Sequence, residues 1–114
     1  MSHEFLDFVE DILDAMEKAE ILLEGVVYDQ FEADFKINFA VVRALEIIGE
    51  ATKRLPMDLR QQYPDIPWRG MAGMRDRIVH GYDLVDLQIV WDVVKRDVPK
   101  IKPLIQKILT DYAD

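Results

Sequence analysis

The chain has 114 residues, 50% of them apolar and 32% charged, and a formal net charge of −8. One hydrophobic core fits that length and two do not, so a single domain over residues 1–114 is expected, and the balance excludes an intrinsically disordered chain. Cysteine is absent, which removes disulfides, thiolate metal sites and cysteine nucleophiles. The acidity alone disfavours a nucleic-acid binder, but it is unevenly placed. Residues 1–34 hold 11 acids and one base (Lys18), a net of −10, whereas residues 35–114 hold 11 acids and 13 bases. No apolar run approaches the roughly 20 residues of a membrane span. The start, Met1-Ser2-His3-Glu4, lacks the basic region of a signal peptide. A soluble cytoplasmic protein with no membrane association is therefore expected.

In chain order, residues 4–24 read as an amphipathic helix. Phe5, Phe8, Ile12, Ala15, Ala19 and Leu22 recur every three or four positions, Val9, Met16 and Leu23 widen the stripe, and Gly25 is placed to close it. A second helix is expected from Asp29, which stands with Glu32 at capping-box spacing, to Pro56, with Phe31, Phe35, Phe39, Val42, Leu45 and Ile48 on its apolar face. Residues 57–67, with Pro64 and Pro67, suit a short helical turn and a loop. A third helix is expected from Trp68 to His80, with Gly81 terminating it. The last segment, 86–112, carries the most regular stripe, from Leu87 through Val90, Trp91, Val94, Val98, Ile101, Ile105 and Ile108 to Tyr112. Pro99 and Pro103 lie inside it without disturbing its phase, which predicts a kink and not a break. Strand-like alternation is absent. The fold class is all-α, an up-and-down bundle of four main helices with a short extra one.

The densest polar cluster is Met74-Arg75-Asp76-Arg77-Ile78-Val79-His80-Gly81-Tyr82. Arginine offers a planar fork of donors suited to phosphate, and an imidazole at a helix end is suited to acid–base work. The same residues would also serve as a helix cap with surface ion pairs. On a continuous helix Arg77 and His80 share a face, whereas Arg75 and His80, about 140° apart, do not. Two copies meeting across a two-fold axis would bring both to one cleft. His3 reads as an unstructured end residue. Trp68 and Trp91 read as core or interface anchors. Glu46 and Glu50 read as partners of Arg43, Lys53 and Arg54 in ion pairs. No His/Asp/Glu set has metal-site spacing and no glycine-rich phosphate loop is present, so no metal and no cofactor is expected.

Arg75, four residues, His80, one residue, Tyr82 resembles the R-x4-H-x-Y motif of HepT-like toxins, a branch of the HEPN superfamily, with Asp76 as the polar residue after the motif arginine. Ala44-Leu45-Glu46-Ile47-Ile48-Gly49-Glu50-Ala51, Tyr63-Pro64-Asp65-Ile66-Pro67-Trp68, Gly73-Met74-Arg75 and Val90-Trp91 resemble further blocks of that family, so the likeness spans nearly the whole chain. It implies a homodimeric helical bundle whose two motifs form a composite, metal-independent endoribonuclease site acting on RNA, tRNA above all. Arg75 and His80 are implied as catalytic residues, with Asp76 and Arg77 supporting. Tyr82 is implied as the tyrosine to which a cognate nucleotidyltransferase antitoxin adds AMP, the neutralising step of a type VII toxin–antitoxin pair. A non-catalytic HEPN module that binds nucleotide or RNA beside a nucleotidyltransferase is the alternative, and a purely structural dimerisation bundle a third reading.

Overall fold

The first apolar stripe folds as α1 (Phe5–Leu22) in the computed structural model, which describes residues 3–82 and 84–113; Met1 and Ser2 of the expected leaderless start lie outside them. Val9, Ile12, Ala15, Met16, Ala19 and Leu23 are buried, whereas Phe5, Phe8 and Leu22 are half-buried. The residues expected to widen the stripe are thus part of its centre. The helix ends two residues before the expected boundary, and Gly25 follows with φ +72°, a conformation that favours glycine. His3 is not a loose end. Its ring lies edge-on to Phe5 and Tyr112, with centroids 5.5 and 5.1 Å away, and joins the two ends of the chain.

The single helix expected from Asp29 to Pro56 is in fact two, α2 (Tyr28–Ala33) and α3 (Phe35–Lys53). Asp34 between them has an extended backbone, and its carboxylate accepts the Lys36 amide at 2.9 Å, capping α3. The buried Asn38 amide donates to the carbonyls of Phe31 at 3.0 Å and Glu32 at 3.3 Å, satisfying the end of α2. The Asp29–Glu32 capping box does not form. The Val27 amide donates instead to Gln30 Oε1 at 3.1 Å, and valine has no side-chain acceptor to complete a box. This break resets the phase. Val41, Ala44, Leu45, Ile48 and Ala51 face the core, and Phe35 and Phe39, expected on the apolar face, stand in solvent.

After Pro56 comes the expected helical turn, α4 (Met57–Gln62). The corner beyond it is cross-bonded: the Trp68 indole donates to the carbonyls of Arg60 at 3.1 Å and Tyr63 at 3.0 Å, and Arg60 Nη2 donates to the Thr52 carbonyl at 2.8 Å. Trp68 is a core anchor, as expected. The helix expected over 68–80 is two short pieces, α5 (Trp68–Ala72) and α6 (Met74–Ile78), parted at Gly73.

The last segment is continuous, as its stripe requires, but changes pitch: α7 (Leu87–Asp92) passes into a π turn (Val93–Asp97) and then α8 (Val98–Asp111). Pro99 occupies the first turn of α8, where a missing amide is tolerated, and the wide turn lies directly before it. Every residue of the predicted stripe from Leu87 to Tyr112 is buried or half-buried. Trp91 packs against Tyr28 and Phe31 at ring distances of 5.5 Å. Lys95 donates to the Leu23 carbonyl at 3.2 Å, and Lys102 pairs with Glu20 at 2.7 Å, fastening this segment to α1.

The result is an all-α bundle of four columns: α1, α3, α5–α6 and α7–α8. No strand is present among the described residues, only an isolated bridge between Val79 and Val85. α3 packs on α1 and on α5–α6, and α1 packs also on α8. Between α5–α6 and α8 runs a groove of about 390 Å³, with Met16 and Ile48 among its lining residues. No helix among the described residues is long and apolar enough to cross a membrane.

Candidate active site

The motif begins where α5–α6 touches α3. A Cβ added at Gly49 would lie 3.2 Å from the Met71 carbonyl oxygen and 3.2 Å from Met74 Cβ, so the absence of a side chain sets this spacing. Met74 and Ile78, four apart, are buried and anchor α6. Between them Arg75, Asp76 and Arg77 are all exposed. Arg77 reaches the π turn, its Nη1 lying 3.4 Å from Asp97 Oδ2. Arg75, two positions earlier and so about 200° round the helix axis, points elsewhere.

His80 does not stand on a helix. α6 stops at Ile78, and the chain folds back on itself: the His80 amide donates to the Leu84 carbonyl at 2.7 Å and the Asp86 amide to the Ile78 carbonyl at 2.8 Å, flanking the Val79–Val85 bridge. Gly81, with φ +105°, makes the reversal without the strain a Cβ would bring. Asp86 then caps α7, its carboxylate accepting the Ile89 amide at 3.1 Å. The shared helical face expected for Arg77 and His80 is therefore overturned. The reason is the backbone: Gly73 and Gly81 bracket only one turn and a half of helix, and a bonded loop replaces the rest.

This loop presents His80 and Tyr82 at its exposed tip, with Tyr82 at 101% of full exposure. One short stretch of chain thus offers an exposed guanidinium, Arg75, and an exposed imidazole, His80, neither held in a salt bridge among the described residues. Such a pair can bind a phosphodiester and move a proton beside it. The apolar groove beside α6 is a different place: Arg77 lines it, and Arg75, His80 and Tyr82 do not. No group of three or more metal-ligating side chains occurs among the described residues.

Three positioning residues escaped the sequence reading. Gly49 carried no visible packing signal, Leu84 acts only through its carbonyl, and Asp97 is brought to Arg77 by the π turn. Asp86 was missed as well, although it has the signature of a cap, an aspartate directly before the last apolar run.

Comparison with known proteins points the same way. A family model described as "Ribonuclease HepT-like" matches residues 12–108. The chain is 44% identical over 108 residues to "Probable ribonuclease HepT" of Thermococcus cleftensis, covering 95% of this chain and 98% of that protein. It is 42% identical over 104 residues to "Putative RNase MJ1216" of Methanocaldococcus jannaschii, covering 91% and 86%. It is 36% identical over 97 residues to "Putative RNase TTE0752" of Caldanaerobacter subterraneus, covering 82% and 87%. No solved structure matches. With residues 12–108 matched, the arginine–histidine–tyrosine cluster among them, and 95% of the chain aligned to a relative, the chain belongs to the HepT-like ribonuclease family.

Proposed function

We propose that the chain is the toxin of a HEPN/minimal-nucleotidyltransferase pair, a metal-independent endoribonuclease acting as a homodimer on RNA, with tRNA as the substrate class. One observation carries the reading: Arg75 and His80 are both solvent-facing on one short, tightly pinned stretch of a chain whose family is that of ribonucleases. In the reaction the 2′-hydroxyl of a nucleotide attacks the adjacent phosphorus and the bond from phosphorus to the 5′-oxygen breaks. His80 takes the 2′ proton. Arg75 binds the non-bridging oxygens, whose charge grows in the transition state, and so does what a metal would otherwise do. The departing 5′-oxygen needs a proton, and in a site shared by two copies the second copy's imidazole supplies it. Asp76 and Arg77, which follow Arg75 directly on α6, have supporting roles.

Tyr82 is the switch. Its phenol is fully exposed, so a nucleotidyltransferase antitoxin can reach it. The phenol oxygen attacks the α-phosphorus of ATP, pyrophosphate leaves, and AMP remains two residues from His80. The added phosphate repels RNA and fills the cleft.

The test is cleavage of tRNA and other RNAs in EDTA by antitoxin-free protein, beside Arg75→Ala and His80→Ala. Each substitution is expected to slow cleavage by about 10²–10⁴-fold, the usual worth of a positioned acid–base or electrostatic group. Equal rates in all three proteins would end the assignment, and RNA binding without cleavage by the unsubstituted chain would favour the non-catalytic HEPN module. With the antitoxin and ATP, intact mass should rise by AMP units, and Tyr82→Phe should abolish the rise.

A further inference from the structure

Ion pairs between separate elements are few among the described residues. Those expected of Glu46 and Glu50 with Arg43, Lys53 and Arg54 do not form there, and two that do, Lys18–Asp14 and Lys107–Asp111, stay within one helix. Two join different elements: Lys102 with Glu20, which fastens α8 to α1, and Arg77 with Asp97, which reaches from α6 to the π turn. The second crosses a place where packing is thin. α6 rests on α3, α5 and α7 but touches the π turn and α8 little. The groove of about 390 Å³ lies there, with Met74, Arg77 and Asp97 in its lining. Asp65 and Lys100 share that lining, and neither takes part in a salt bridge among the described residues. Backbone bonding decides where Asp97 stands. The Val98 amide donates to the Val93 carbonyl five residues back, so the turn takes in one residue more than an α turn and changes the direction Asp97 faces.

We propose that Asp97 is a positioning residue for RNA cleavage: through Arg77 it fixes the roll of α6, and with it the direction in which Arg75 points. The inference rests on the role given to Arg75 above. α6 is five residues long and is anchored by Met74 and Ile78, one turn apart and so nearly in line along the helix axis. Two anchors in line resist sliding, but they oppose rotation about that line only weakly. At about 100° per residue, Arg75 stands about 80° to one side of the line and Arg77 about 80° to the other. A tie at Arg77 therefore works as an outrigger on the side away from Arg75. It stops the roll that would raise or lower the Arg75 guanidinium. A group that acts on a transition state must be held close to its working position, and a small misplacement slows the reaction. Asp97 meets Arg77 on the side of α6 away from Arg75, so it acts on the reaction only through the helix.

The experiment is a double-substitution cycle of Asp97→Asn and Arg77→Met, read by kcat and KM for RNA cleavage in EDTA. The pair is half-exposed and 3.4 Å apart, so Asp97→Asn is expected to lower kcat about twofold to fivefold without raising KM. A mere surface anion gives the opposite result: its removal relieves repulsion of RNA, which lowers KM and leaves kcat unchanged. In the Arg77→Met background Asp97→Asn should change kcat no further, since its route is already cut. Asp97→Glu, which keeps the carboxylate, should retain most of kcat. A second measurement is independent of cleavage. The Val79 amide closes α6 on the Arg75 carbonyl at 2.9 Å, and its hydrogen exchange should quicken by a similar factor in Asp97→Asn while amides in the middle of α1 keep their rate. An unchanged kcat, a loss of kcat that recurs in full without Arg77, or unchanged exchange at Val79 overturns the proposal. Exchange that quickens equally in α1 shows a loosening of the whole fold and overturns it too. If the unsubstituted chain cleaves no RNA, the ribonuclease reading fails, and exchange at Val79 alone decides whether Asp97 holds α6.

Discussion

α1 and the connection from α6 to α7 are built on opposite plans. α1 spans 18 residues and commits Val9, Ile12, Ala15, Met16 and Ala19 to the core. α6 spans five, buries only Met74 and Ile78, and hands over to a loop held by backbone bonds at its base. Burial is concentrated in the first, and the second carries the residues proposed for the chemistry. Stability and activity should therefore respond to different substitutions, because side chains in solvent contribute little to folding while remaining free to meet a ligand.

The sharpest way to break that contrast is a pair of alanines. Leu45→Ala, at a fully buried site in α3, should cost about 2–5 kcal/mol of unfolding free energy by urea denaturation. His80→Ala should stay within about 0.5 kcal/mol of the unsubstituted chain while losing cleavage. If His80→Ala unfolds as readily as Leu45→Ala, the loop is part of the core and the contrast fails.

Gly49→Ala probes the seam between the two plans. Its new methyl group meets the Met71 carbonyl and Met74 at 3.2 Å, and overpacking of this kind costs about 1–3 kcal/mol. Because those atoms lead directly into Arg75, cleavage should fall by more than the small loss of folded protein explains. Cleavage that stays at the unsubstituted rate would show that the motif does not depend on this approach.

The smallest effect lies at the far end of the bundle. The Tyr63 phenol donates to Asp111 at 2.8 Å. Burial first, and then that bond and the carboxylate charge, push it from its ordinary 10.0 up to about 12. A proton held more tightly in the folded chain stabilises it fully below pH 10, and that contribution is lost as pH climbs toward 12. Melting temperature should thus fall more steeply across that range than in Tyr63→Phe, which starts lower and runs flatter. Parallel curves would mean the bond is screened by solvent.

Much of this was legible in the residues. Periodicity located the four helical columns, the continuity of the last one and most of the core, because burying an apolar stripe leaves a three-four trace that little else produces. It failed where backbone bonding decides. Asp34 splits a helix that the stripe carries straight through, and thereby exposes Phe35 and Phe39. Gly73 and Gly81 shorten the third helix and move His80 off it. The cluster of Arg75, His80 and Tyr82 was visible as composition and as a family motif. Its fold-back was not, since amide and carbonyl partners such as those of His80 and Leu84 are blind to side-chain identity.

The glycine at position 49 has a consequence for how the core can change. It sets the distance between α3 and α6 by carbonyl and Cβ contact, not by the bulk of interlocking side chains. Leu45, Ile48 or Met71 could be exchanged for residues of similar volume while the start of α6 stays in place. The address of Arg75 is written in the spacing of two backbones, and a single added carbon would be enough to change it.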